Sequence, residues 1–569
     1  MAQRKETVSA EAKRGLTRRD ALKGAAVAGL GILGAGALAG CAPLGGEGAQ
    51  PGQQAAGADA TAWDKEVDVL VAGTGTAIHA AVACSEFGSG SILIVEKDPA
   101  MFGGTSATSG GGYALALLDF NAEEGIGDTR EQVLEYMKLV ADGRMDENVQ
   151  AAFVDNANGF CQFVLKTHGW SKWGHINKAF GDYYELYAGS LPEAFGRGSW
   201  YPFDAEGKNL MAPDQWAVYR EYVDAHDNIE LVMGTSVESL VVEGGAVAGA
   251  VLSDGTKVKA GAVVLGTGGF EHNEDMRRFY LPFPYYRSNG SVNNTGDAQR
   301  MGAKVGAQLA YMDTVFGNPY FDTQKEWQPG AFRYDNAGSD AFAPRGFPHS
   351  LMVNHKGKRF CDESTMYDTM NRAFGTYDTG TMEYANIPGY WICDSAYTST
   401  FLLPGYATPD ALPEFVFKFD SLEELADGMG IDKEALQAEI AAFNENAAQG
   451  ADPVWHRGEK AVSANTMAMM SALMTLPGAT APQSVLGTVD QPPFYCCRYV
   501  PGMMGGTRGG LHINENAQVL DVDGEPIGGL YATGNCSSGV AGYWAGGATL
   551  GQGSVMAYVA AKHITGTAD

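Results

Sequence analysis

Residues 68–97 limit the possible fold more than any other part of the sequence. They begin with a buried-strand run, DVLVA, pass through a glycine turn into an alanine-rich helix, and reach a second strand, SILIVE. Gly73 permits a tight turn, and Gly75 lets backbone amides approach a pyrophosphate at the helix N-terminus, where the helix dipole favours negative charge. Ile78 stands where the usual fingerprint has a third glycine, so the turn alone is weak evidence.

The acid at the end of the second strand supports a dinucleotide site. Glu96 lies 23 residues after Gly73, where such a site places a carboxylate on the ribose hydroxyls. We expect an exposed acid there, with Thr76, Ala77 and Lys97 as further candidates for cofactor contact. The alternative, a βαβ unit without a nucleotide, is disfavoured because the turn, the helix, the second strand and the acid all match what a dinucleotide site requires.

A segment rich in glycine and hydroxyl groups follows, MFGGTSATSGGGYAL at residues 101–115. Its composition does not suit a packed helix or strand. It suits backbone amides that wrap around a phosphate-bearing cofactor, although a flexible surface loop has the same composition. The candidate residues in this segment are Gly104, Thr105, Ser106, Ser109, Gly110 and Gly111.

Together these features resemble the fumarate reductase/succinate dehydrogenase flavoprotein superfamily. Further matches are AGAVVLGTGGF at 260–270, TGD at 295–297 and GGLYATGN at 528–535. The resemblance implies an FAD site with additional candidate residues Asp297, Gly534, Asn535, Thr549 and Leu550. Membrane-bound members carry a histidine bonded covalently to FAD, but Thr105 stands at that position, so the resemblance implies non-covalent FAD.

The resemblance also implies an α/β fold, with a Rossmann-like FAD-binding domain in two sequence segments and an inserted α+β capping domain. We predict the first segment at 63–324, the cap at 325–495 and the second segment at 496–569. A helical stretch is expected within the cap near 421–446. Substrate is expected between the cap and the flavin.

Three positions lack the groups with which fumarate reductases bind a dicarboxylate. Tyr367, eight residues after Arg359, replaces a proton-donating arginine. Those enzymes have a histidine shortly before a TxGG segment, and here Gly505-Gly506 precedes that segment, Thr507–Gly510. They also have an arginine two residues before their last glycine pair, and here Trp544 precedes Gly546-Gly547. Because arginine binds carboxylates bidentately, a small dianion would lose most of its binding energy here, so fumarate and succinate are not the expected substrates.

The residues at these positions resemble those of the 3-oxosteroid 1-dehydrogenases. The segments GGTSATSGGG, RFCDESTMY and GYWAGGATLG are similar to that family's motifs. They place Tyr367 at its catalytic tyrosine, and Tyr543 and the Gly547 amide at its carbonyl-binding groups. Such groups polarise a ketone while a proton moves at the α-carbon and a hydride passes to or from flavin N5.

A tyrosine that acts as a base needs a neighbour, because the free phenol has a pKa near ~10. Tyr136, Tyr183 and Tyr184 are loose candidates for the third tyrosine of that family. We therefore predict an FAD-dependent oxidoreductase of the CH–CH group that acts on an enone or 3-oxosteroid-like substrate. The alternatives left open are a reductase of an unsaturated carboxylate, such as fumarate or an aryl acrylate, and a lipid-anchored solute-binding protein.

The first 40 residues have the layout of a signal peptide, with seven basic and three acidic residues and then a Gly/Ala-rich apolar run. Arg18-Arg19 resembles a twin-arginine export signal, and LAGC at 38–41 resembles a lipoprotein cleavage box with Cys41 as the lipidated residue. We expect residues 41–62 to form a flexible tether. The protein is then expected to be lipid-anchored at the outer face of the cell membrane.

Charge and cysteine content limit the possible partners. The formal net charge is −28, and about −32 without residues 1–40, so nucleic acid is not an expected partner. The seven cysteines after Cys41 form no metal or haem motif. A separate electron-transfer protein or quinone-linked carrier is therefore expected to exchange electrons with the flavin. For an exported lipoprotein without a haem of its own, reduction is the expected direction.

Overall fold

The computed structural model describes residues 62–121, 125–175, 182–191, 197–326, 333–334, 345–461, 463, 467, 471, 474–539, 542 and 544–567. From Ala62 onward these residues belong to one compact unit. The predicted signal peptide, nearly all of the predicted tether and Cys41 lie outside the described residues.

Strands and helices are interspersed along the described chain. The strands are β1 (Lys65–Ala72), β2 (Ile92–Glu96), β3 (Lys172–His175), β4 (Trp200–Phe203), β5 (Ile229–Met233), β6 (Val237–Glu243), β7 (Ala246–Leu252), β8 (Lys257–Leu265), β9 (Arg287–Ser288), β10 (Leu309–Gly317), β11 (Tyr320–Phe321), β12 (Arg333–Tyr334), β13 (Ser350–Val353), β14 (Tyr377–Asp378), β15 (Glu383–Tyr384), β16 (Gly389–Cys393), β17 (Phe417–Phe419), β18 (Phe494–Val500), β19 (Gly502–Leu511), β20 (Gln518–Leu520) and β21 (Pro526–Ala532). The α-helices are α1 (Ile78–Glu86), α2 (Gly104–Ala107), α3 (Arg130–Val140), α4 (Glu147–His168), α5 (Ala212–Ala225), α6 (Glu274–Tyr280), α7 (Asp297–Lys304), α8 (Tyr367–Ala373), α9 (Ser395–Thr398), α10 (Leu422–Met429), α11 (Lys433–Ala447) and α12 (Ala548–Thr565).

An eight-stranded sheet, in the order β20-β21-β8-β1-β2-β5 with β7 on β8 and β6 on β7, forms the centre of the fold. β1, β2, β5, β8 and β21 run parallel. Successive residues of β2 and of the second half of β1 are buried, so both faces of these strands are covered, as in other parallel sheets. Because β21 lies beside β8, two distant sequence segments build one sheet. The predicted α/β class is confirmed.

A second sheet, in the order β11-β18-β16-β13 with β17 on β18, is antiparallel. α10 and α11 pack on it through Leu425, Leu436 and Ile440. The helical stretch expected near 421–446 is therefore two helices, and Gly430, in the left-handed conformation at φ 70°, ends the first. This sheet begins at Tyr320 and ends at Val500, five residues beyond the predicted cap at either end. The domain boundaries stay a prediction.

A four-stranded sheet, in the order β10-β19-β9-β12, uses strands from both sides of the predicted cap. All seven described cysteines are buried. No cluster of potential metal ligands occurs in the described part of the chain. The helices of the described residues include none with the length and apolar character needed to cross a membrane.

Candidate active site

The turn after β1 forms the first wall of a cavity at the carboxyl ends of the parallel strands, where α/β folds bind their ligands. Gly73 has φ 99°, and a Cβ on it would lie 2.4 Å from the carbonyl oxygen of Gly266. A Cβ on Gly75 would lie 3.2 Å from the Ser106 hydroxyl. Both glycines and Thr76 line the cavity, so the predicted turn lies where a pyrophosphate can approach its amides.

The two residues after this turn pack into the core. Ala77 is fully buried, and a Cβ on Gly266 would lie only 2.3 Å from its Cβ. Ile78 is fully buried and begins α1. Ala77, which we predicted to bind the cofactor, is not among the residues that line the cavity, so its side chain packs in the core and a cofactor contact through its backbone stays a prediction.

Glu96 lies at the end of β2 and joins three segments of the cavity wall. Its carboxylate accepts hydrogen bonds from the Thr74 backbone N–H (3.0 Å), the Thr74 hydroxyl (2.6 Å) and the Asp98 N–H (2.9 Å). The Thr74 hydroxyl accepts another from the Gly103 N–H at 2.7 Å. Glu96 lines the cavity but is only 7% exposed. The expectation of an exposed acid is therefore wrong, because Glu96 also holds the turn together.

Lys97 and Asp297 form an ion pair in the cavity wall, with 3.0 Å between the Lys97 Nζ and a carboxylate oxygen. Lys97 also donates to the Thr295 hydroxyl at 2.9 Å, and Arg300 donates to the second Asp297 oxygen at 2.6 Å. Burial favours a raised pKa for Asp297, but the hydrogen bond and charge of Lys97 outweigh it and hold the pKa below its usual value. Asp297 is therefore ionised at neutral pH.

The glycine-rich segment forms the long side of the cavity. Gly104, Thr105, Ser106, Ser109, Gly110 and Gly111 all line it. The Thr105 hydroxyl accepts hydrogen bonds from the Ser291 N–H (2.8 Å) and from the Asn294 side chain (3.1 Å). These bonds tie the segment to the polar residues that precede Asp297.

The N-terminus of α12 lies at the other end of the cavity. Gly547 precedes this 18-residue helix at φ 87°, and a Cβ on it would lie 2.1 Å from the carbonyl oxygen of Gly112. Gly547, Thr549 and Leu550 line the cavity. The positive end of the helix dipole therefore lies at the ligand site, where it stabilises negative charge.

Gly534 and Asn535 complete the wall after β21. The Asn535 side chain donates to the Gly505 carbonyl at 2.9 Å, whereas its Oδ1 is buried and has no hydrogen-bond partner among the described residues. A buried acceptor without a donor is costly unless a ligand supplies one, and a flavin ring carries such an N–H. With amides for phosphate and an acid for ribose, the residues present fit FAD.

Tyr367 lies in the cavity wall together with Tyr183, a residue from a distant part of the chain. Their hydroxyl oxygens are 2.5 Å apart, and the rings meet edge to face with 5.3 Å between centroids. Both side chains are almost fully buried. A Cβ on Gly546 would lie 3.0 Å from the Tyr183 hydroxyl, so the Gly546–Gly547 peptide adjoins the pair. Tyr543 lies outside the described residues.

The other two tyrosine candidates support this pair from behind and do not line the cavity. The Tyr136 hydroxyl donates to the Trp544 carbonyl at 2.7 Å and accepts the Tyr184 N–H at 3.1 Å. The Tyr183 N–H donates to the same carbonyl at 3.0 Å. Burial raises the pKa of Tyr136 and of Tyr184 well above the usual value, so both phenols stay neutral.

The cavity is poor in cationic groups. Among the described residues that line it, Lys97 is the only lysine or arginine, and it is paired with Asp297. Gly505 lines the cavity, whereas Trp544 is fully buried and donates to the Gln552 side chain at 3.2 Å. The described cavity residues thus include no arginine or histidine that could bind a dicarboxylate.

Sequence reasoning missed several cavity residues. They include Thr74, Ser199, Tyr201, Asn289, Asn294 and Met504. The polar run SNGSVNNTGD at 288–297 could have pointed to Asn289 and Asn294, because it leads directly into the motif that contains Asp297. Ser199 and Tyr201 carry no comparable local signal.

Comparisons with known proteins agree with this geometry. The FAD binding domain family matches residues 68–550. The chain is 30% identical to 4-oxocyclohexanecarboxylate 2-dehydrogenase of Sinomonas cyclohexanicum, over 88% of this chain and 93% of that protein. It is 28% identical to 3-oxosteroid 1-dehydrogenase of Mycobacterium tuberculosis, over 88% and 98%. Its structure is similar to 3-ketosteroid delta1-dehydrogenase from Sterolibacterium denitrificans, with a TM-score of 0.73, 26% identity, and 89% and 100% of the two chains covered.

The predicted cofactor and superfamily are thereby confirmed, and the alternative of a solute-binding protein is rejected. The relatives include reductases as well as dehydrogenases. The chain belongs to the FAD binding domain family of flavoproteins and is an FAD-dependent oxidoreductase that acts on the CH–CH group.

Proposed function

We propose that this enzyme moves a hydride and a proton across a carbon–carbon bond next to a ketone, in an enone or 3-oxosteroid-like substrate. The observation that carries the proposal is the pair of hydroxyls of Tyr183 and Tyr367, 2.5 Å apart in the wall of the FAD cavity. Reactions of this type need a positioned group that exchanges the α-proton, and tyrosine can fill that role.

Bound FAD would supply the acceptor or donor of the hydride. Tyr367 removes or returns the proton at the α-carbon. A hydrogen bond donated by Tyr183 stabilises a phenolate on Tyr367, which supplies the neighbour that a basic tyrosine requires. The guanidinium carbon of Arg345 lies 5.9 Å from the centre of the Tyr367 ring, and its positive charge favours the same phenolate.

The Gly547 amide holds the carbonyl oxygen of the substrate, together with the Tyr543 hydroxyl, whose role rests on the sequence motif. Each well-placed donor to a developing oxyanion contributes about 3 kcal/mol. Support comes from the position of the Gly546–Gly547 peptide beside the Tyr183 hydroxyl. Carbonyl binding and proton transfer would then occur on neighbouring atoms of one substrate, as enolisation requires.

A second candidate, a reductase of an unsaturated carboxylate, is favoured by one observation. Arg345 does not line the cavity but lies behind Tyr367, which does, and its Nη1 is buried and has no hydrogen-bond partner among the described residues. A buried guanidinium gains most from an anionic partner, and a carboxylate on the substrate would provide one. The relative that acts on 4-oxocyclohexanecarboxylate takes a molecule that carries both a ketone and a carboxylate.

The direction and location of the reaction are also proposals. The Arg18-Arg19 signal and the LAGC box support export and lipid anchoring through Cys41. The absence of a haem motif from the sequence supports a separate electron-transfer protein or quinone-linked carrier as the donor, with reduction as the physiological direction.

A substrate panel tests the proposed function. The purified enzyme is supplied with reduced viologen and, in turn, a steroid enone, a cyclohexenone carboxylate, an aryl acrylate and fumarate. We expect one of the two ketones, the steroid enone or the cyclohexenone carboxylate, to have the highest kcat/KM of the panel. We expect no turnover of fumarate. Efficient reduction of fumarate that persists in a Tyr367→Phe variant would overturn both the substrate class and the role of the tyrosine. Fastest turnover of the aryl acrylate would favour the second candidate.

A further inference from the structure

Glu271 is a fully buried acid directly behind the wall of the FAD cavity. One oxygen of its carboxylate accepts a hydrogen bond from the Asn294 side chain at 2.6 Å. Asn294 lines the cavity and also donates to Thr105, another residue of the wall. The second oxygen lies 3.3 Å from both the N–H and the hydroxyl of Thr507. A single side chain therefore separates this carboxylate from the cofactor site.

The chain leaves space for this carboxylate by placing glycine around it. Cβ atoms on Gly290 and Gly506 would lie 2.2 Å from one of its oxygens, and a Cβ on Gly269 would lie 2.4 Å from the other. Gly506 follows Gly505, which lines the cavity. Two distant segments and the acid's own segment thus lack a side chain around this carboxylate, which indicates a pocket formed specifically for that acid.

Among the described residues, no cation is in direct contact with the Glu271 carboxylate. Arg277 donates to the Glu271 backbone carbonyl at 2.5 Å, and His272 contacts the Gly290 carbonyl. On the neighbouring segments, the charged groups include Arg287, which donates to the Phe321 carbonyl, Asp297, which is paired with Lys97, and Arg508, which interacts with Asp368. Burial raises the pKa of Glu271 to about 7, although hydrogen bonds from Asn294 and Thr507 oppose the shift.

We propose that Glu271 takes up a proton when FAD is reduced, and thereby makes the reduction potential of the flavin depend on pH. Two electrons from the donor, reduced viologen in the test below, reduce the flavin. One proton from solvent converts the carboxylate to the neutral acid, in addition to protons that the flavin itself binds. This inference depends on the FAD cofactor and is independent of the proposed substrate.

The physical basis is repulsion between two negative charges in a water-poor interior. Reduction adds electron density to the flavin, and an ionised Glu271 opposes it. Because the two equilibria are linked, reduction of the flavin strengthens proton binding by Glu271. Protonation of Glu271 raises the reduction potential of the flavin by the same free energy. The extent of proton uptake is an equilibrium property, so it does not require a permanent path for the proton from solvent to Glu271.

The test compares the flavin midpoint potential of holoenzyme from about pH 5.5 to 8.5 in wild type, Glu271→Gln and Glu274→Gln. Glu274 is an exposed acid three residues along the chain and serves as the matched control. We expect the wild-type potential to fall more steeply around pH 7 than that of Glu271→Gln, by one proton per two electrons. The two should converge at low pH, where Glu271 is neutral in both redox states. Glu274→Gln should follow wild type.

Identical pH profiles in wild type and Glu271→Gln would overturn the proposal, and so would an equal change in Glu274→Gln. A second measurement counts directly the protons that are taken up on reduction, in wild type and in Glu271→Gln. Reduction of wild-type holoenzyme in weakly buffered indicator at about pH 7.5 should consume up to one more proton per flavin than reduction of Glu271→Gln. If Glu271→Gln fails to hold FAD, the variant Glu271→Asp can be measured instead. Because it retains a carboxyl group, its potential should still show the steep pH profile of wild type. Its absence there would also refute the coupling.

Discussion

Replacement of Tyr183 by phenylalanine tests the tyrosine pair directly, because it leaves the proposed proton carrier Tyr367 in place. The bond that is lost joins two nearly buried hydroxyls 2.5 Å apart. A hydrogen bond to a charged group contributes about 1.5–3 kcal/mol, which corresponds to a fall in kcat of about 10- to 150-fold if the phenolate of Tyr367 is the reactive form. Tyr367→Phe removes the carrier itself and should lower kcat by about 10² to 10⁴-fold.

The assay is a double-mutant cycle on kcat, with an enone substrate, reduced viologen and a check that each variant retains FAD. If Tyr183 acts through Tyr367, adding Tyr183→Phe to Tyr367→Phe should cost little more, because the partner it assists is gone. Tyr397→Phe is the matched control. Its hydroxyl is buried and donates to the Leu402 carbonyl at 3.1 Å, away from the cavity, so its loss should lower stability by about 1 kcal/mol and leave kcat unchanged.

Losses that multiply in the double variant would refute the reasoning, since they would mean that the two hydroxyls act independently. A kcat within twofold of wild type for Tyr183→Phe would also refute it.

Three further predictions concern the cofactor, the scaffold and the anchor. Glu96→Gln should weaken FAD binding by about 10-fold or more and also lower the melting temperature of the apoprotein, because Glu96 holds Thr74 as well as facing the cavity; full flavin retention on dilution would contradict this. Tyr136→Phe should reduce the free energy of unfolding by about 1–3 kcal/mol and lower kcat with FAD still bound, since Tyr136 links Trp544 to Tyr184; an unchanged kcat at reduced stability would limit Tyr136 to a structural role. Cys41→Ser should move the protein from the membrane fraction to the soluble fraction while activity with viologen stays the same; continued membrane retention would exclude Cys41 as the anchor.

Much of the cofactor site could be predicted from the sequence because its signals are local. Gly73, Gly75 and Glu96 lie within one βαβ unit, whose geometry follows from the length of two strands and one helix. The glycine-rich segment is equally clear from the sequence, since its composition disfavours a long packed helix or strand, and the helix that forms there, α2, has four residues, none of them buried. Residues from these two segments and from the C-terminal motifs converge on a single cavity in the structure.

The exceptions in the cofactor site have a common physical cause. The sequence indicated an acid at position 96 but not that Thr74 and Asp98 would surround its carboxylate. Ala77 belongs to the turn by position, yet the close approach of Gly266 places its side chain in the core. In both cases the direction of a side chain depends on a neighbouring segment that packs against it.

The sequence by itself therefore determined the fold class, the FAD cofactor and the absence of the dicarboxylate-binding groups, because each of these depends on residue types at short, fixed spacing. Only the tertiary structure decided that Tyr183, and not Tyr136 or Tyr184, meets Tyr367. It also decided that Gly506 leaves space for the carboxylate of Glu271. Such contacts join residues more than 180 positions apart, and no local pattern specifies them, since they arise only when all the intervening elements have packed.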